Sequence, residues 1–226
     1  MRFILFILFG IFLSTTLSAQ FNIKIGYQYG LIKPTNHNKI IDQINANNNS
    51  FDNYNKMKSL KSFHGVNFGT RYRAGYMGLN LDWTPKFQVI EFDGINPTTD
   101  VNDFRKLYYR FDSYSLGVEF FIQQFSFGVS YDWNKMRIRS EDTERTDRHE
   151  IFSSRSTSSQ FFVSLNVYGN ENLTIALQPY VQIPWTNFDL TNLENDLNTG
   201  VNLNDYEDGF VNYGIKLVFQ NGNYED

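Results

Sequence analysis

The sequence contains no cysteine, and this absence excludes several kinds of protein. A disulfide scaffold, a thiol nucleophile, a zinc site with thiolate ligands and a lipid attached to an N-terminal cysteine all require that residue. An excess of basic residues is missing too, since the formal net charge is −4. A nucleic-acid surface needs concentrated Lys and Arg, so nucleic acid is not an expected partner.

Long apolar runs are absent except at the beginning of the chain. Residues 1–19 combine a basic start at Arg2, an apolar run Phe3–Leu13 and a small-residue stretch that ends at Ala19. This order predicts a secretory signal peptide cleaved after Ala19, followed by one domain over residues 20–226. The apolar run is shorter than the roughly 20 residues that a transmembrane helix requires, and no later stretch approaches that length without charge.

What the chain does contain is a regular alternation of apolar and polar residues. Aromatic residues make up 17% of the sequence although the mean hydropathy is only −0.41. This combination is expected of a lipid-facing β-barrel, in which the two residue types alternate along every strand. Segments of period two predict eight strands, at 22–31, 63–73, 76–89, 107–122, 125–137, 159–168, 173–185 and 210–219.

The connections between these strands are of two kinds. Three are tight turns, at 74–75, 123–124 and 169–172, whereas the segments near 32–62, 90–106, 138–158 and 186–209 are long and polar. The run Arg139–Glu150 mixes charges of both signs and is most simply a solvated strand extension, with divalent ions or phosphorylated lipid headgroups as alternative ligands. The alternation of short and long connections predicts an all-β fold, an eight-stranded antiparallel up-and-down transmembrane β-barrel with every tight turn at its periplasmic end. We therefore expect an exported outer-membrane protein. A soluble secreted barrel of lipocalin type is the alternative, because periodicity alone does not say which face points inward.

The polar face of the predicted strands carries charges of both signs. They are Lys24, Arg71, Asp82, Lys86, Glu119, Asp132 and Lys216. Buried charges are expected to pair, because an isolated one is costly, so we predict an ion-pair network in the lumen. Eight strands enclose room only for side chains, which argues against a general porin. A gated proton or ion path is the alternative role for these charges.

The last predicted strand resembles the C-terminal signal that outer-membrane proteins present to the barrel-assembly machinery. The matching residues are Asn212, Gly214, Leu217 and Phe219, although seven residues, 220–226, follow Phe219 here. With the strand number and the loop alternation, the mature chain resembles the small eight-stranded barrels of the OmpA-transmembrane, OmpX and PorT-like class. The resemblance implies contact with the assembly machinery. An outer-membrane barrel is expected to contact outer-membrane lipid, and its loops to meet lipopolysaccharide, another surface or a protein complex. It is architectural, and one architecture supports many functions.

Three functions remain open from the sequence. The first is a structural or surface-interaction role through the long extracellular loops, without enzymatic activity, cofactor or metal. The second, implied by the PorT-like resemblance, is an accessory subunit of an envelope secretion or assembly complex. The third is a lipid-modifying hydrolase that uses His149 with Asp147 and Ser153 or Ser154, although no catalytic motif surrounds that histidine.

The first long connection also shows helical spacing. Ile40, Ile41 and Ile44, and then residues from Phe51 to Leu60, recur at intervals of three and four. We therefore expect short amphipathic helices across the barrel mouth. They form either a lid packed on the barrel's own rim or an exposed apolar patch for a partner.

Overall fold

The computed structural model describes residues 19–170 and 173–222, most of which lie in antiparallel strands. The predicted signal peptide falls outside this part of the chain, except for its last residue. The strands are β1 (Ala19–Ile32), β2 (Asp52–Asn55), β3 (Ser62–Ala74), β4 (Met77–Asn96), β5 (Val101–Ile122), β6 (Phe125–Asp142), β7 (His149–Asn170), β8 (Leu173–Pro184), β9 (Phe188–Asp189), β10 (Glu207–Asp208) and β11 (Asn212–Asn221). The helices are α1 (Thr35–Asn47) and α2 (Thr191–Leu197). Neither is long and apolar enough to cross a membrane.

Eight of the strands close into a ring. Their order around the barrel is β1, β3, β4, β5, β6, β7, β8 and β11, and β11 pairs back onto β1. Every neighbouring pair is antiparallel, as a simple meander requires. The predicted eight-stranded antiparallel up-and-down barrel is therefore confirmed. The short β2 adds to the far end of β4, while β9 and β10 pair with each other outside the ring.

The two ends of the barrel differ. Gly75 and Gln123 adopt positive φ angles of 57° and 52° in the turns between β3 and β4 and between β5 and β6. These tight turns lie at one end, which we call the turn end. The helices and the long connections lie at the other, which we call the cap end. Glycine is suited to a left-handed turn position because it has no Cβ to clash with the backbone.

In the half of the barrel near the turn end, apolar side chains point outward. On β5 the exposed residues include Tyr114, Leu116 and Phe120, and on β1 they include Ile23 and Ile25. The polar residues that alternate with them point into the lumen. Exposed aromatic residues lie on the strands or at their ends, and they include Tyr27, Tyr29, Tyr72, Tyr76, Trp83, Phe125, Tyr131, Trp133, Trp185, Tyr213 and Phe219.

Toward the cap end this pattern inverts. On β5 the apolar residues change from even positions, which face outward, to the odd positions of Leu107, Tyr109 and Phe111, which are buried. Likewise on β6, Met136 and Ile138 are buried while Arg139 is exposed. The segments 90–106 and 138–158 were predicted as polar loops, and this prediction is wrong for most of their length. They continue the strands, with an apolar inner face and a charged outer face.

The inverted half encloses a hydrophobic core. Inward residues of the extended strands pack with α1, α2 and their flanking segments in one cluster. Ile138, Leu190 and Leu193 are completely buried there. Ile40, Ile41 and Ile44 belong to the same cluster, so α1 is a lid on the barrel's own rim rather than an exposed patch.

Two asparagines of α1 fix the segment that returns to β3. Asn45 donates to the carbonyl oxygen of Met57 and accepts from its N–H, at 2.9 Å each. Asn38 makes the same pair of bonds with Leu60, at 3.2 and 2.9 Å. The returning segment is therefore held by side-chain amides that mimic a strand partner. The second helix expected in this connection is wrong, because residues 52–55 form β2.

Candidate functional site

The structure places all seven predicted lumen charges on the inner face of the barrel. Arg71, Lys86, Glu119, Asp132 and Lys216 are each less than 5% exposed. The side chains of Lys24 and Asp82 are slightly more accessible. The charges are not distributed as one network, because the two halves of the lumen satisfy them by different means.

Near the turn end, two ion pairs form. The Nζ atom of Lys24 lies 2.9 Å from Asp82, across the intervening position of Gly69. A Cβ at Gly69 would collide with the Asp82 carboxylate, so this contact depends on glycine. The Arg71 guanidinium lies 3.9 Å from Glu119 and also donates to the Asn22 side chain.

Glu119 is held by neutral donors as well. The side-chain amide of Asn80 donates to it at 3.0 Å and the hydroxyl of Ser126 at 2.5 Å. Its cross-strand neighbours are Gly78 and Gly128, which leave space for the carboxylate between the strands. Each oxygen of Glu119 therefore accepts from a neutral donor, and Oε2 also lies near the Arg71 charge. A buried carboxylate is stable only while such partners remain.

Nearer the cap, the buried charges use amides and rings instead of opposite charges. Lys86 donates to Gln182 at 3.3 Å, and the same amide donates to Asp132 at 2.8 Å. The Lys86 ammonium also lies 4.6 Å from the centre of the Phe111 ring, and that of Lys216 lies 5.3 Å from the Tyr180 ring. Among the described residues, Lys86, Asp132 and Lys216 have no partner within ion-pair distance. The expectation that every lumen charge pairs directly with an opposite one is therefore wrong for these three.

The Phe111 ring marks the boundary between the polar lumen and the apolar cap. It contacts Lys86 on one side and packs against Phe63, Phe188 and Phe210 on the other. Above this layer, the hydrophobic core fills the barrel mouth. Hydrogen-bonded polar side chains therefore lie in the lumen below this layer, and apolar side chains lie in the mouth.

A buried histidine of α1 is hydrogen bonded to both β5 and β10. His37 of α1 is 1% exposed, and its Nε2 lies 2.9 Å from the hydroxyl of Tyr109. Its backbone N–H donates to Asp208 at 2.8 Å. Burial lowers the pKa of His37 from 6.5 to about 4, so the imidazole is neutral at physiological pH. Burial also raises the pKa of Asp208, although its bonds to backbone N–H groups oppose that shift.

The residues considered for hydrolysis do not come together. The Nδ1 atom of His149 lies 3.2 Å from the backbone carbonyl of Asp147, whose carboxylate binds Arg145 instead. The hydroxyl of Ser154 accepts from the N–H of Asp189. Within residues 19–170 and 173–222, no histidine is hydrogen bonded to a serine, and no three His, Asp or Glu side chains converge on a metal position.

The residues of the predicted assembly signal lie in the strand that closes the ring. Asn212 is buried and donates to Gln182, while Leu217 and Phe219 face outward. Gly214 pairs with Gly30 of β1, and a Cβ at Gly214 would collide with the backbone of β1. These placements concern the folded state, so recognition during assembly stays a prediction.

Sequence reasoning missed the outer face of the extended strands. Most residues there were assigned to solvated loops, and only the run Arg139–Glu150 was expected to extend a strand. The register places several bases side by side on β5, β6 and β7. The signal that identifies them is the inversion of the apolar phase on β5 and β6. Once the apolar residues occupy the inner positions, the charged residues must face outward.

The closed meander and its register define the class, a small eight-stranded up-and-down β-barrel. No family model and no curated protein matches the sequence. Among solved structures, the attachment invasion locus protein Ail of Yersinia pestis, in complex with the heparin analogue sucrose octasulfate, is 13% identical, with 90% of this chain and 97% of that chain covered and a TM-score of 0.48.

Two further solved structures also cover about nine tenths of this chain. Neisserial surface protein A is 10% identical, over 91% of this chain and 99% of that one, with a TM-score of 0.47. The outer membrane protease OmpT of Escherichia coli is 9% identical, over 93% and 99%, with a TM-score of 0.38. Ail is named as an attachment invasion locus protein and OmpT as a protease, and at these identities the likeness concerns the fold alone.

Proposed function

We propose that this protein spans the outer membrane as a closed, non-conducting barrel and acts through the outer surface of its cap end. The observation that carries the proposal is the belt of exposed apolar side chains around the turn-end half of the barrel. A soluble protein seldom exposes a contiguous apolar surface of this extent to water. The lipocalin-type alternative is therefore disfavoured.

The height of the belt is consistent with a bilayer. On β5 it runs from Tyr114 to Ile122, roughly 27 Å along the strand at ~3.4 Å per residue. With a strand tilt of about 40°, this corresponds to about 20 Å along the barrel axis, close to the ~25 Å apolar band of outer-membrane barrels. A row of aromatic rings, Trp83, Tyr114 and Trp133, lies at its cap-end edge, as interfacial aromatic residues do.

Two layers argue against conduction. The lumen contains hydrogen-bonded polar side chains, and the mouth is filled by the cap core. We expect no single-channel current from the purified barrel in planar bilayers. Steady ohmic current would contradict the non-conducting part of the proposal and favour the gated ion path.

Membrane insertion is tested by fractionation and gel mobility. The mature protein is expected in the outer-membrane fraction, and unboiled samples are expected to migrate differently from boiled ones because a closed barrel has no free strand edge. Recovery of native protein in the soluble periplasmic fraction would contradict the assignment.

Orientation is tested by single-cysteine labelling, for which a chain without cysteine is well suited. Thr98, in the exposed turn between β4 and β5, and Gln124, in the exposed turn between β5 and β6, lie at opposite ends. On intact cells, an impermeant maleimide is expected to label Thr98→Cys and not Gln124→Cys. The reverse pattern would invert the topology.

The accessory-subunit role makes a different prediction. A stable envelope complex is expected to co-purify in mild detergent in a fixed ratio to the barrel. Purification of the barrel alone, with its membrane insertion intact, favours the surface role.

A further inference from the structure

The outer face of the extended strands carries ordered rows of bases immediately beyond the aromatic row. At the next outward-facing position toward the cap end, two residues along each strand from Tyr114 and Trp133, the register aligns Asp112, Lys135 and Arg155. The second such position aligns Arg110 with Arg137, and the third aligns Tyr108 with Arg139. We call these three positions the basic rows. Successive outward-facing positions are about 7 Å apart along a strand. With a strand tilt of about 40°, the basic rows therefore begin about 5 Å beyond the aromatic rings along the barrel axis.

The basic rows contain like charges in direct opposition. Arg110 faces Arg137, and Lys135 faces Arg155, across neighbouring strands. Like charges directly opposite one another destabilise a sheet. In the first pair this repulsion is relieved by Asp112, which lies 2.9 Å from Arg110 and 2.7 Å from Arg137. The pair of Lys135 and Arg155 has no such acid within ion-pair distance among the described residues.

Surplus positive charge is therefore concentrated on this face. In the part of the chain that the structure describes, Lys135, Arg139 and Arg155 form no ion pair, and Arg139 and Arg155 are exposed. The acids on this outer face are Glu91, Asp93, Asp112, Glu141 and Glu150, against the bases Lys106, Arg110, Lys135, Arg137, Arg139, Arg148 and Arg155. Glu91 pairs with Lys106, and Glu141 pairs with Arg148. Glu150 lies opposite Arg139 in register without forming an ion pair with it.

The basic rows also form a shaped site rather than a flat patch. A cleft of about 270 Å³ lies between Arg110, Arg137, Arg139 and Arg148 and has Phe87 and Val89 among its apolar lining. Two of the arginines are oriented by rings, since the Arg148 guanidinium lies 4.0 Å from the centre of Tyr108 and that of Arg110 lies 5.9 Å from Phe87. Guanidinium groups held in this way can bind phosphate through paired N–H donors.

We propose that the basic rows bind the phosphate groups of a phosphorylated glycolipid in the outer leaflet. The site lies on the outer face, directly above the aromatic row, where lipid phosphates are expected if the belt is embedded, and its apolar lining continues toward the acyl chains. This inference rests on the proposed function, because a lipid headgroup reaches the face only if the barrel spans the membrane. It adds the position of the site, the residues that form it and the chemistry that they recognise.

The test uses the full mature protein, purified in detergent and first shown by its unboiled gel mobility to be folded. Native mass spectrometry then measures the apparent Kd for bisphosphorylated lipid A and for the dephosphorylated lipid with the same acyl chains. We expect the phosphorylated lipid to bind about tenfold more tightly or better, since each base near an anionic surface contributes substantially to binding. Equal affinity for the two lipids would overturn the proposal.

A matched pair of triple variants locates the site. Lys135→Gln, Arg139→Gln and Arg155→Gln together remove three bases that form no ion pair in the fold. The control replaces Lys39, Lys56 and Lys58, three exposed lysines of the cap, with Gln and so changes the net charge equally. We expect the first variant alone to lose the preference for phosphorylated lipid. Equal losses in both variants, or no loss in the first, would overturn the location.

Inorganic phosphate separates the two sources of the ligand chemistry. If a lipid headgroup is recognised, millimolar phosphate leaves lipid A bound, because the acyl chains and several phosphates act together. Displacement at the concentration at which phosphate itself binds would assign the site to a free anion and overturn the lipid assignment. Failure of the protein to fold as a detergent-resistant barrel contradicts the proposed function instead, so the two failures are distinguishable.

Discussion

The two halves of this barrel place their apolar residues on opposite sides of the same strands. Near the turn end, β5 directs Tyr114, Leu116 and Phe120 outward and keeps polar groups inside. Near the cap end, the same strand directs Tyr109 and Phe111 inward, where they pack like the core of a soluble protein. Under the proposed function, the difference corresponds to a change of solvent along one strand, from hydrocarbon to water.

The comparison predicts that charges inside the lumen contribute much more to stability than charges outside. Glu119→Ala removes the acid that lies beside Arg71 and leaves a buried guanidinium without it. The expected cost is about 3–5 kcal/mol of unfolding free energy, the usual penalty for breaking a buried pair from one side. Urea unfolding in detergent measures it. The control, Glu144→Ala at an exposed cap position, is expected to stay within about 0.5 kcal/mol.

An equal urea midpoint for Glu119→Ala and the parent would mean that the Arg71 charge is solvated or neutralised by other groups. The lumen would then contain more water than its hydrogen bonds indicate. Charges inside it would not contribute more to stability than charges outside.

In the cap, stability is expected to depend on apolar packing. Ile41 of α1 is 1% exposed and lies in the cap core. Ile41→Ala is expected to cost about 2–5 kcal/mol, because the cavity that it leaves adds to the lost transfer free energy. The exposed Val101 provides a control, since Val101→Ala is expected within about 0.5 kcal/mol. Hydrogen exchange of the α1 amides measures the opening of the cap.

The same experiment shows whether the halves unfold together. If Ile41→Ala accelerates exchange in α1 while the unboiled barrel still resists denaturation, the cap opens as a local unit. Simultaneous loss of both would mean that the barrel and its cap are one cooperative structure.

How much of this was predictable from the sequence differs between the halves. The turn-end half followed from alternation, because its apolar residues keep one phase and face outward along each strand. Most of the cap-end half was mistaken for loops, since Glu91, Lys106 and Arg139 make those segments polar on average. Only the inversion of phase, at Leu107 and Ile138 for example, distinguishes a cap strand from a solvated loop.

The partners inside the lumen were not predictable, because they depend on register. Lys24 meets Asp82 because Gly69 lies between them, and Lys86 meets Asp132 only through the amide of Gln182. Alternation assigns a side chain to the inner or the outer face of the barrel. Which inner side chains of neighbouring strands lie side by side depends on the stagger of the strands. Residue type alone does not give that stagger.

The cap is expected to weaken in acid through His37. Its pKa is about 4 in the folded cap and 6.5 when exposed, so the unfolded cap binds the proton more readily. The His37 contribution is therefore fully present above pH 6.5, falls as the pH drops toward 4, and is then lost, by about 3 kcal/mol in total at about 1.4 kcal/mol per pKa unit. Hydrogen exchange of α1 between pH 7 and pH 4 measures the change.

The control for this pH dependence is His37→Gln, which does not titrate and can still hydrogen bond to Tyr109. Asp208 acts in the opposite direction, because its raised pKa favours the folded cap as the pH falls. The difference between the parent and His37→Gln therefore isolates the imidazole. An identical pH profile in the two proteins would show that the imidazole is accessible to protons in the closed cap.

The smallest effect is expected for an ion pair on the cap itself. Arg105 and Asp142 lie 3.4 Å apart, and their side chains are 30% and 17% exposed. Partial hydration screens the attraction and permits both groups to find water when separated, so a double-mutant cycle with Arg105→Gln and Asp142→Asn is expected to give a coupling of about 0.5–1 kcal/mol. The same cycle at Lys24 and Asp82, inside the lumen, is expected to give a larger value because water has less access there. Equal couplings at the two sites would mean that solvent screens the lumen as well as it screens the cap, and the contrast between the halves would then apply to their apolar residues alone.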